Sequence, residues 1–433
     1  MDTTLDGAVL SRVVRGEAER APDRVVVVVE NDQLPAVAVT AADLAAQGNR
    51  LAAALAGAGL SRGVPVALMA GNCPEALYAL VANSQLGLPT VPVDPRAQPD
   101  TLTAVLGLTD CAAIVVEERL LADQAVATAI ARSGAQPFVI GAPGRSEGPS
   151  LGPLLGEILA GPEAADAGEH VDDLADPWLL CVGAGASKDS RALQVEHGRQ
   201  LFLSAVAAHL GYRPDDVVYT GLNATHAHAL MDTVMPALRG QIDHAVLSRR
   251  FSHARLWDVC IEHRVTAWSS FGELASAVYN EPSSHRDRQH RVRLVVSVGM
   301  PREIWRAFEQ RFGVRVLEWY GTLEGGFACN PAGVGPVGSF GKPPADLVMD
   351  VVGEDGSPVP AGSIGELILR PAGGEARVAY YRDPEGSARA VRDGWLHTGD
   401  LVTRDANGWL YFVQHMAGAD RGGAGVEPIA SGR

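Results

Sequence analysis

Apolar residues recur along the chain in two rhythms. Short unbroken runs such as RVVVVVE (24–30), VPVALM (64–69), TVPV (90–93) and AAIVVE (112–117) have the length and β-branched content of strands buried on both faces. Between them, Leu44, Leu51, Leu55 and Leu60 return at helix-compatible spacing in an alanine-rich stretch, and residues 74–88 read as a second helix. This alternation predicts a mostly parallel sheet with right-handed crossovers. A second α/β series runs from about Asp215 to Asn330. From Gly338 to Gln414 the texture changes to short strands (DLVMDVV, GELILRP, GWLYFVQ) broken by turns such as EDGSPVPAG, which predicts an antiparallel or barrel-like unit. The stretch 141–168, rich in Gly, Pro, Ser and Glu, reads as a surface connection.

The fold class expected from this pattern is α/β, with two α/β-layered subdomains of mixed, mostly parallel sheets and a smaller β-rich subdomain. The expected divisions are 1–175, 176–335 and 336–415, followed by a Gly/Ala-rich tail over 416–433. At 433 residues the chain exceeds one ordinary core, which agrees with two or three units.

Composition narrows the partners. Hydrophobic residues make up 47% and charged residues 20%, the balance of a globular protein rather than a disordered one. A net charge of -15 supplies no basic face for nucleic acid and no attraction to an anionic membrane. No apolar run reaches the ~18 residues of a membrane span, and the charged N-terminus lacks a signal-like apolar region, so a cytoplasmic location is expected. The five cysteines are scattered without a CxxC pair, so neither a disulfide framework nor a zinc site is indicated. Lysine occurs only at Lys188 and Lys342, which leaves few candidates for any lysine-dependent step.

Three stretches carry a family resemblance: EWYGTLEGG (318–326), GELILRP (365–371) and DGWLHTGDLVTRDANGWLYFV (393–413). In order, they resemble the adenylate-forming (ANL) superfamily of AMP-binding enzymes and acyl-CoA synthetases, whose usual forms are Y-G-x-T-E and G-W-x-x-T-G-D. RFSHARLWDVCIEHRVTAWSSFG (250–272) is similar to the carnitine/crotonobetaine-CoA ligase branch. The resemblance implies the acyl-CoA synthetase large-domain fold, with ATP, Mg²⁺ and CoA as cofactors.

It also implies roles residue by residue. Asp400 matches the aspartate that accepts the ribose hydroxyls, work suited to an ionised acceptor at a turn; an Asp holding its own turn is the structural alternative. Glu324 matches the glutamate that places Mg²⁺, a hard oxygen ligand, and Tyr320 the aromatic near adenine. Leu323 stands where the family has a phosphate-contacting threonine. His226 matches a histidine beside the acyl pocket, with a lesser reading as a general base, and His228 follows two residues later. Trp268, Phe271, Gly272, Gly299, Met300 and Trp319 would line the same cavity, with core packing as the alternative for each.

The phosphate loop departs most. Aligned on His197, the pattern T-S-G-T-T-G-x-P-K-G falls on 183–192, where only Ser187 and Gly185 keep the hydroxyl and core glycine. Such loops need glycines and hydroxyls around phosphate oxygens. Lys188 replaces the second glycine, Arg191 the loop lysine, and Asp189 adds negative charge. Beyond Val413, Gln414 and His415 stand where the resemblance expects an Asp/Gly-Arg pair contacting ribose, and Gly418 falls near the hinge acid; this is read as absence of the C-terminal catalytic lid domain. Three functions follow. The first is an acyl-CoA ligase-like enzyme of specialised metabolism acting on a small-molecule carboxylate or acyl thioester, with adenylation weakened or lost and with cyclisation, rearrangement or group transfer without ATP as its candidate chemistry. The second is an ATP-dependent ligase completed by a separate C-terminal domain, and the third a non-catalytic scaffold. Association as a homodimer or with a partner protein is left open.

Overall fold

The buried apolar runs occupy the centres of three sheets. The computed structural model describes residues 4–32, 34–141, 152–183 and 190–416; the tail from 417 onward and most of the phosphate-loop segment, Ser187 and Lys188 included, lie outside these. An eight-stranded sheet runs Phe327–Asn330, Arg315–Gly321, Leu294–Val298, Ala267–Phe271, Val217–Thr220, His244–Ser248, Val25–Glu30, Val37–Thr40. Its inner strands are parallel and both edge strands antiparallel. A seven-stranded sheet is built around the parallel strands Thr90–Pro92, Val66–Met69, Ala113–Glu117 and Gln136–Ile140. Leu347–Val352, Ile364–Pro371, Trp395–Arg404, Val391–Arg392 and Leu410–His415 form an antiparallel five-stranded sheet.

Local chemistry explains the helices between them. Ala41–Gly57 starts where Thr40 and Asp43 form a reciprocal capping box, the Asp43 N–H donating to Thr40 Oγ1 at 3.1 Å and the Thr40 N–H to Asp43 Oδ2 at 2.9 Å. Pro74–Leu86 opens on proline and closes on Gly87 in the left-handed region, φ 66°. From Ala76 to Leu86 its side chains are buried on nearly every side, which is why its sequence lacks a clean apolar stripe.

Sheet membership does not follow the linear division expected from sequence. Val25–Glu30 pairs with His244–Ser248, so the N-terminal hairpin belongs to the later α/β series. Pro177–Val182 and Ala192–Glu196 join the earlier sheet, and Ala379–Tyr380 reaches back from the β-rich segment to pair with Ala192–Glu196. Partner choice here is a long-range matter of which buried apolar faces meet, and nothing local encodes it.

Buried Asn72 joins the two α/β sheets. Its Nδ2 donates to the carbonyls of Leu222 and Ser248, each at 2.8 Å, and its Oδ1 accepts from the Ala224 N–H at 2.7 Å. Asn72→Leu leaves these three backbone groups unpaired in a dry interior. It is expected to cost on the order of 3 kcal/mol, measured by urea unfolding. A cost within 0.5 kcal/mol of zero would show that the groups re-pair.

Candidate functional site

The parallel strands Ala267–Phe271, Leu294–Val298 and Arg315–Gly321 end together beneath the five-stranded sheet, where ligands of open α/β sheets collect. A cavity of about 480 Å³ lies there. Phe271, Gly272, Val298, Gly299 and Glu318–Thr322 form one wall, and His397, Thr398, Asp400 and Phe412–His415 the other. Gly272 has no freedom to be anything larger, because a Cβ there would overlap the Gly299 carbonyl.

The G-W-L-H-T-G-D segment is stitched by its own polar groups. Thr398 Oγ1 donates to the Leu367 carbonyl at 2.7 Å and accepts from the Asp400 N–H at 3.1 Å. Glu366 of the G-E-L strand accepts the Gly399 N–H at 3.1 Å and sits 2.7 Å from His397 Nδ1. Asp400 is buried, with Oδ2 accepting the Tyr320 hydroxyl at 2.6 Å and Oδ1 lying 2.7 Å from His415 Nδ1. Burial and the Asp400 carboxylate hold the Tyr320 hydroxyl well above its ordinary pKa, so it stays a donor. Its ring packs on Phe340 at 4.9 Å.

Glu318 points from Arg315–Gly321 into the cavity floor. It accepts the backbone N–H groups of Gly299 and Met300, the latter at 3.1 Å. Burial outweighs these donors and pushes its carboxyl up to about 8.

Of the residues singled out from sequence, Phe271, Gly299, Trp319, Tyr320, Glu324 and Asp400 meet around this one cavity, as does Gly272. The others are placed elsewhere. His226 caps the short helix Ala227–Ala229, its Nδ1 accepting the His228 N–H at 3.2 Å, and its ring meets Phe271 edge-on at 5.4 Å. Burial lowers its pKa to about 4, so it stays neutral at ordinary pH. His228 is 2% exposed, its Nε2 3.1 Å from Ser269 Oγ and 2.9 Å from Asp232 Oδ2. Its ring lies 4.5 Å from that of Phe271 and 5.1 Å from that of Trp319. Trp268 and the Met300 side chain belong to the hydrophobic cluster that includes Trp257 and Phe308. Arg191 is bound to Asp383 at 2.6 Å and lies over the Tyr380 ring. Ser187 lies outside the described residues.

Glu318, His397 and His415, with Glu273, are titratable cavity groups to which the sequence analysis assigns no role. Only strand alternation in LEWYG hints at the first. The histidines gain meaning only once their carboxylates are seen beside them. Burial pushes the Cys329 thiol up to about 11, so it is no activated nucleophile.

Mg²⁺ placement would fall to Glu324, which lines the cavity; its carbonyl accepts from Arg199 Nη2 at 3.1 Å. Leu323 beside it is buried among apolar side chains and offers no oxygen. Among the described residues no group of three or more His, Cys, Asp or Glu could hold a metal on its own. Among the described residues the lining holds no Lys or Arg; residues 184–189, Lys188 included, lie outside them.

Fold and motif order together define an AMP-binding, acyl-CoA synthetase-like protein. The AMP-binding enzyme family matches residues 14–374, and the chain belongs to it. The medium/long-chain-fatty-acid–CoA ligase FadD6 of Mycobacterium tuberculosis is 29% identical over 94% of this chain and 69% of its own length. The crotonobetaine/carnitine–CoA ligase of Salmonella paratyphi A is 26% identical over 88% and 75%. A benzoate CoA ligase structure from Burkholderia xenovorans LB400 superposes with a TM-score of 0.81 at 21% identity, covering 94% of this chain and 80% of that one. No helix among the described residues is long and apolar enough to cross a membrane.

Proposed function

We propose that this chain is an acyl-CoA ligase-like enzyme of specialised metabolism that binds a small carboxylate or acyl thioester and does not adenylate it efficiently by itself. The observation that carries this reading is the cavity lining. Glu273, Glu318, Glu324 and Asp400 face it, and no lysine or arginine does among the described residues. A polyphosphate needs clustered cations or N–H donors. The carboxylate that the resemblance gives to ribose already has Tyr320 on one oxygen and His415 on the other.

A second reading, an ATP-dependent acyl-CoA or acyl-AMP ligase completed by a separate C-terminal domain, is favoured by the apolar rim. Phe412, Val413 and Met416 are 44%, 40% and 39% exposed there.

Calorimetric titration with Mg·ATP, on the wild type and on Asp400→Ala, separates the two. The first reading expects no saturable micromolar binding by either protein and no ATP–pyrophosphate exchange with a panel of carboxylates. Micromolar binding by the wild type that disappears in Asp400→Ala retires it in favour of the second.

A further inference from the structure

Asp400 and His415 are directly paired residues on the antiparallel strands Trp395–Arg404 and Leu410–His415. His415 Nδ1 lies 2.7 Å from Asp400 Oδ1, and Tyr320 holds the other carboxylate oxygen from behind at 2.6 Å. The Asp400 side chain is 4% exposed, whereas that of His415 is 38% exposed and lines the cavity. A buried carboxylate on Nδ1 orients an imidazole and selects the tautomer in which Nε2 is the proton acceptor. The resemblance expects arginine at His415. Arginine cannot take up a proton at any working pH, and imidazole can.

We propose that His415, oriented by Asp400, is a general acid–base residue that hydrolyses an acyl thioester bound in this cavity. The inference rests on the reading that the chain does not activate its own acyl group. A protein of this fold that forms no acyl adenylate must receive its acyl group already activated, so a thioester-forming ligation must precede it. His415 Nε2 takes a proton from a water molecule as the water oxygen bonds to the acyl carbon. The carbon–sulfur bond then breaks, and the departing thiolate takes the proton back from the imidazolium. The products are a carboxylic acid and a thiol, with no cofactor consumed.

Asp400 is a positioning residue in this scheme, and Tyr320 orients Asp400. The other titratable groups facing the same cavity are His397 with Glu366 at 2.7 Å, Glu273, Glu318 and Glu324.

The test incubates the chain without ATP with acetyl-, butyryl-, octanoyl- and benzoyl-CoA and follows free thiol across neutral pH. Release of free thiol is expected. His415→Gln should lower kcat by about 10²–10⁴-fold with KM changed far less. Asp400→Ala should lower kcat with KM changed far less, and Asp400→Glu should recover part of it, because a carboxylate is again within reach of Nδ1. Absence of thiol release from all four thioesters overturns the proposal, as does a His415→Gln variant with wild-type kcat and pH profile. Nitrogen NMR of the His415 ring checks the pair without turnover: one dominant Nδ1–H tautomer that becomes mixed in Asp400→Ala supports it, and unchanged ring signals overturn it. ATP–pyrophosphate exchange reads the proposed function alone and thiol release reads this inference, so failure of one is distinguishable from failure of the other.

Discussion

Trp268→Ala is expected to lower stability by about 3–5 kcal/mol, the cost of emptying a packed aromatic site, with little effect on any ligand bound in the cavity. Trp268 lies in a central parallel strand and is 0% exposed. Its ring meets Trp257 edge-on at 6.2 Å and stacks on Phe308 at 6.3 Å. Its indole N–H is buried with no hydrogen-bond acceptor among the described residues. Trp268→Phe should therefore cost much less than Trp268→Ala, since it keeps most of the ring and removes a donor that earns no partner. Urea unfolding gives both numbers. A Trp268→Ala protein of wild-type stability would return this residue to the ligand site.

The second large effect is a pH dependence. The Glu318 carboxyl sits near 8 in the fold against 4.5 for an ordinary glutamate. Between those values the native state keeps a proton that the unfolded chain has released. The associated stability is fully present below about 4.5 and is lost as pH rises towards 8, at up to about 1.4 kcal/mol per pH unit. Glu318→Gln stays neutral throughout, and its amide oxygen can still accept the Gly299 and Met300 N–H groups. Its stability should lose this part of the slope and exceed that of the wild type at pH 8. Parallel stability–pH curves for the two proteins would show that Glu318 ionises normally in the fold.

Glu318 also marks where sequence reading stops. A glutamate in an apolar strand can be exposed at an edge or buried at a strand end, and LEWYG alone does not distinguish them. The same limit applies to His226 and His228. Neither is among the residues lining the cavity, although both rings contact Phe271, which is. Trp268 and Phe271 lie three residues apart on one strand, so their side chains point to opposite faces: one enters the aromatic core and the other the cavity. Arg191 carries the charge expected of a phosphate ligand, and the Asp383 carboxylate from a distant segment engages it.

What the sequence by itself determined was everything with a local or periodic cause. Unbroken valine and isoleucine runs specified buried strands, Thr40 with Asp43 and Pro74 with Gly87 specified helix ends, and the ordered Y-G and T-G-D motifs specified the family. Phe271, Tyr320 and Glu324 come to the cavity from the ends of neighbouring strands of the parallel sheet, and Asp400 from within an antiparallel strand over it. Only the tertiary structure decided which sheet each strand joined, which aromatic rings were core, and what stood beside each titratable group. The pairing of Asp400 with His415, like the burial of Glu318, depends on side chains brought together through space. Their chemistry follows from distance and desolvation, and neither has a signature in the order of residues along the chain.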